Sequence, residues 1–78
     1  MKQIVVRAIW DEEAEVWVAS SDDIQGLAIE APTVEALSGK LVPAIQDLIE
    51  ANEIQSDLRE IPVEIRSESR TKVLNPCY

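Results

Sequence analysis

Two early segments of the chain carry apolar side chains on both sides of an alternating pattern, yet only one later segment has helical spacing. Lys2 to Trp10 reads as a strand, with Ile4, Val6, Ala8 and Trp10 on one side and Val5, Arg7 and Ile9 on the other. From Glu15 to Ser20, Val16 and Val18 oppose Trp17 and Ala19. A period of two is the mark of a strand, and the polar run Asp11-Glu12-Glu13-Ala14 between them makes a hairpin. One helix covers only one side of a sheet, so the other side keeps large apolar groups, and one Trp is expected among them. Single exposed hydrophobic residues are common, but a two-sided apolar sheet with unpaired edges favours an interface. The residues assigned to the open side are Val5, Ile9, Trp17 and Ala19, and assembly into a dimer or larger homo-oligomer is expected through that face or an edge. The hairpin turn lacks glycine, so its register stays open at this point.

Further along, Ser21-Asp22-Asp23-Ile24-Gln25-Gly26 supplies turn formers and a glycine suited to positive φ, and Leu27 to Ala31 reads as a short third strand. Pro32 stops it, Thr33 is a helix cap and Glu35 lies in the first helical turn. Val34, Leu37, Leu41, Ile45, Leu48 and Ile49 then recur at helical spacing, with Lys40, Gln46, Asp47, Glu50 and Glu53 facing outward. The spacing predicts a helix of about five turns. Pro43 is expected to kink it, and Gly39 to let it approach the sheet closely. Ile61, Val63 and Ile65 alternate with Pro62, Glu64 and Arg66 as a fourth strand, and residues 67–78 extend that strand or trail off as a tail.

The pattern specifies one α+β domain over residues 1–78: a three-stranded antiparallel meander, an amphipathic crossover helix and a fourth strand parallel to the first, in the order 3-2-1-4. A chain of 78 residues with no Phe builds one modest core from Ile, Val, Leu and Ala.

The net charge of −8 is unevenly placed. Residues 8–39 hold eight acids and no Lys or Arg, whereas the remainder sums to zero, with Arg66, Arg70 and Lys72 near the C-terminal end. Such a surface repels nucleic acid and attracts a basic protein. The acidic loops Asp11, Glu12, Glu13, Glu15, Asp22 and Asp23 are the candidate partner-binding residues. The single Cys77 cannot form an intrachain disulfide, and the apolar start is too short for a signal peptide or a membrane span, so a cytoplasmic location is expected.

With no His, the commonest general base and metal ligand is missing. Asp11, Glu13 and Glu15 alternate in the manner of calcium ligands, but Val16 stands where an EF-hand loop requires Gly. The two glycines lie thirteen positions apart and make no phosphate loop. No enzymatic activity, cofactor or metal is expected.

The segments Val6-Arg7-Ala8-Ile9-Trp10-Asp11, Val16 to Leu27 with its Asp23-Ile24-Gln25-Gly26-Leu27 turn, and Thr33-Val34-Glu35-Ala36-Leu37 resemble the HicB-like antitoxin superfamily, and more narrowly a group of short bacterial proteins known only as a domain of unknown function. The resemblance covers residues 7–52 and implies a HicB-like partial ribonuclease H-like fold. It also implies a role in a toxin-antitoxin system, where such a domain caps a small basic toxin that cleaves messenger RNA. HicB antitoxins commonly add a C-terminal DNA-binding domain, which residues 67–78 do not supply, so operator binding is not expected. The expected function is a non-catalytic HicB-like protein-binding module with a small basic partner. A homo-oligomer of structural or regulatory role is the alternative.

Overall fold

A computed structural model describes residues 3–77. Its elements run β1 (Ile4–Asp11), β2 (Val16–Ser20), β3 (Ile29–Ala31), α1 (Val34–Ala51) and β4 (Val63–Glu68). The expected start of the first strand at Lys2 lies outside the described residues. The four strands form one sheet in the order β3-β2-β1-β4, with β1 antiparallel to β2 and parallel to β4, as the alternation and the crossover helix predict. β3 is shorter than Leu27 to Ala31, because residues 21–28 form a loop that turns inward and buries Ile24 and Leu27 against the core. Gly26 takes φ 92° in that loop, where an L side chain would be strained, and a Cβ there would sit 3.4 Å from Leu48 Cδ2.

The loop is anchored to β1 rather than left free. Ser21 Oγ donates to Val5 O at 2.6 Å, and Val5 N donates to Asp23 Oδ2 at 2.7 Å. Beyond the last β1–β2 pair, Arg7 with Ser20, side chains thus replace the missing backbone partners of Val5.

α1 begins at Thr33, whose Oγ1 accepts from Ala36 N at 3.1 Å, and it continues through Pro43. It packs Leu37, Leu41 and Ile45 against β2 and β3. Its end is closed by two crossed bonds, Glu53 N to Glu50 O at 3.2 Å and Ile54 N to Ile49 O at 3.0 Å, with Glu53 at φ 53° in the left-handed position that glycine usually takes. Asn52 Nδ2 then donates to Gln25 O at 3.1 Å and fastens the helix end to the β2–β3 loop. A Cβ on Gly39 would meet nothing within 4 Å. The expected close approach at Gly39 is therefore absent, because the helix turns that position to solvent.

The core is Ile4, Val6 and Ala8 of β1, Ala19 of β2, Ala31 of β3, the helix trio and the loop pair Ile24 and Leu27. α1 lies over β2 and β3, so the helix side of β4 is left partly bare: Val63 is 39% exposed and Ile65 37%. Residues 69–77 continue beyond β4 outside any strand, and Val73 and Leu74 there are 84% and 95% exposed.

Candidate functional site

The site is set by the hairpin register. A four-residue turn, Glu12 to Glu15, joins Asp11 to its partner Val16, and Glu15 supplies the positive φ of 55° that glycine would ordinarily provide. Asp11 Oδ1 accepts from Glu13 N at 3.0 Å and Ala14 N at 3.2 Å, which fixes the turn. Counting inward, Trp10 pairs with Trp17, Ile9 with Val18 and Ala8 with Ala19. Directly opposed residues share a face, so both Trp side chains stand on the helix side. Their rings meet at 5.5 Å between centroids, tilted by 59°, within the range of a favourable aromatic pair.

This register corrects the assignment of Trp17 and Ala19 to the open side. Ala19 is fully buried in the core, and Trp17 packs against that core beneath the helix side. The open side instead combines Val5 and Ile9 with Val16 and Val18, and it carries no Trp. Around that apolar strip stand Arg7, Glu30, Glu64, Arg66 and Glu68. Arg7 pairs with Glu68 at 3.4 Å and Arg66 with Glu64 at 3.2 Å. The hydrogen bond and charge of Glu64 raise the pKa of the Arg66 guanidinium above its ordinary value.

The two Trp rings floor a shallow groove on the helix side. One wall is the entry to α1, Pro32 to Glu35; the other is Ser69 and Arg70 after β4; Glu12 closes one end. The groove thus presents aromatic surface with the carboxylates Glu12 and Glu35 on two sides and Arg70 on a third. Sequence reasoning missed it because the turn register was open. The signal that fixes it is the loop length, since four turn residues place positions 10 and 17 opposite each other.

The six acidic candidates do not converge. Asp11, Glu12, Glu13 and Glu15 crowd the hairpin turn, while Asp22 and Asp23 lie beside Val5 at the far end of β1, roughly 20 Å away at ~3.3 Å per residue. Asp11 and Asp23 are occupied in holding backbone N–H groups. Glu12, by contrast, faces the groove. Among the described residues no group of three or more His, Cys, Asp or Glu side chains is placed to hold a metal ion, and no helix is long and apolar enough to cross a membrane.

A family model described as "Domain of unknown function (DUF1902)" matches residues 3–75. The chain belongs to this family. A solved structure similar to this DUF1902 chain is that of a hypothetical protein, TTHA1013, from the extremely thermophilic bacterium Thermus thermophilus, at 44% identity and TM-score 0.71, with 94% of this chain and 99% of that chain covered. No protein of curated function matches the DUF1902 chain. The solved structure shares the fold, and neither it nor the family match assigns a task or ties the chain to the HicB-like antitoxins.

Proposed function

We propose that this DUF1902 chain is a non-catalytic, cytoplasmic protein-binding module that receives a basic segment of a small partner protein in the Trp10–Trp17 groove, in the manner of HicB-like antitoxins. The observation that carries the reading is the aromatic floor set between Glu12 and Glu35. A Lys or Arg side chain laid over an indole face gains a cation–π interaction, and the flanking carboxylates attract the same charge. The charge of −8 on residues 8–39 extends that attraction over the surroundings of the groove and would raise the rate of encounter. The residue resemblance to antitoxins that cap basic toxins points to the same kind of partner.

The test is retention of native-host proteins on immobilised chain at about 50 mM and about 500 mM NaCl, concentrations that span weak and strong screening. A small basic protein should be retained at low salt, released at high salt, and lost from the Glu12→Lys/Glu35→Lys variant. Retention of no basic protein, or equal retention by the variant, ends this reading.

A further inference from the structure

β4 is an edge strand with an unusual row of charges. Pro62 O accepts from Ile4 N at 2.9 Å, and strand backbone groups alternate in direction, so the N–H and C=O groups of Val63, Ile65 and Ser67 point away from β1 toward the free edge. The register with β1 sets Glu64, Arg66 and Glu68 opposite Val5, Arg7 and Ile9, all on the open side. In the lone chain Arg70 lies past the end of β4 beside the Trp groove, and extension of the strand beyond Glu68 makes it the next residue of the same row, Glu-Arg-Glu-Arg at every second position.

We infer that a second copy of this chain pairs antiparallel with the edge of β4, about a two-fold axis at Ser67. In that register Glu64 faces Arg70 of the other copy and Arg66 faces its Glu68, with the same two pairs repeated across the axis. All four positions of the row then meet opposite charge. A slip of two residues in one direction sets Arg66 against Arg66, and in the other Glu68 against Glu68; a slip of four keeps only one kind of match, Glu64 with Arg66 or Glu68 with Arg70. Like charges directly opposed across strands are destabilising, so the sequence singles out one register.

The helix side of the same pairing brings together what a lone chain leaves bare. Val63 meets Thr71, Ile65 meets Ser69 and Ile61 meets Val73, so the partly exposed β4 pair and the exposed Val73 each gain a neighbour. Residues 69–77, which run on beyond β4, also give the chain its elongated shape. The Cα radius of gyration is 15.5 Å with extents of 56 × 23 × 19 Å, whereas a compact chain of this length has roughly 11–12 Å. Residues 69–74 become strand in the pair, and two four-stranded sheets join into one of eight. Pro62 does not interrupt the join, because its side of the backbone is turned to β1. The pairing goes beyond the proposed basic partner; it draws the Ser69–Arg70 wall of the Trp groove into the interface and leaves the groove's two carboxylates outside it.

The experiment uses rows of one sign. Arg66→Glu/Arg70→Glu makes an all-acidic row and Glu64→Arg/Glu68→Arg an all-basic one. By light scattering at about 100 µM chain, where mass action favours association, the wild type should have twice the 8.7 kDa of one chain. Each variant alone should be a single chain, and an equal mixture should recover the double mass. A single-chain wild type, a variant that associates alone as the wild type does, or folded variants that fail to pair when mixed would each overturn the inference; the first would hand the edge to a different protein. A second measurement is independent of the charge row. Ser67→Cys in a Cys77→Ser background should oxidise to a covalent dimer, since residues facing each other at a two-fold lie within disulfide reach, while Glu64→Cys in the same background should not. Failure of Ser67→Cys to link, or equal linking at residue 64, rejects the register.

Discussion

Asp22 and Asp23 are adjacent, identical in type and both exposed, yet they do different things. Asp23 Oδ2 accepts the Val5 N–H at 2.7 Å, while its own N–H donates to Ser21 Oγ at 3.1 Å, so the residue closes the end of β1 where the β2 ladder has stopped. Losing that acceptor leaves a strand N–H without its partner. Asp23→Ala should therefore cost ~1–2 kcal/mol, whereas Asp22→Ala should stay within ~0.5 kcal/mol of wild type, both read from urea unfolding at equal protein concentration. Equal effects at the two positions would show that the clamp contributes nothing. The distinction was invisible in the sequence, where both residues read only as turn formers and as candidate partner-binding charges, because it depends on which loop atom reaches Val5. The same holds for Asp11, whose carboxylate is committed to the turn it sits in.

At the scale of elements, the parts governed by local periodicity were legible and the parts governed by register were not. The strand-helix-strand order, the cap at Thr33 and the inward row Leu37, Leu41 and Ile45 follow from spacing alone. The faces of the hairpin do not, because a one-residue slip exchanges every side chain between sides, and Trp17 and Ala19 land on the opposite side from the one assigned to them. The helix end shows a third case. Glu53 takes the left-handed position without being glycine, and the next residue, Ile54, is half-buried against the core. Gly39 is a test of the opposite kind. Its conformation is helical and the space beside it is empty, so Gly39→Ala removes backbone freedom from the unfolded chain and meets no obstacle. It should raise stability by ~0.5–1 kcal/mol in urea unfolding. Gly26→Ala should lower stability, because φ 92° strains a Cβ. A destabilised Gly39→Ala would mean that the helix packs more closely there than the open space implies.

For the molecule as a whole, charge opposes folding. Residues 8–39 bring eight carboxylates together with no base in the same stretch, and compaction draws them closer than they are in the unfolded chain. The two ion pairs among the described residues, Arg7–Glu68 and Arg66–Glu64, both have exposed side chains and both involve β4, away from the acidic turn. Surface pairs of this kind contribute little, so salt takes away less attraction than repulsion. Raising NaCl from about 20 mM to about 500 mM shortens the screening length from roughly 20 Å to roughly 4 Å. The urea midpoint of dilute chain should accordingly rise, while capture of a basic partner falls and the β4-paired dimer loosens over the same range. The opposite signs separate self-repulsion within the chain from the two associations. A midpoint that drops with salt would place the balance with the ion pairs and against self-repulsion.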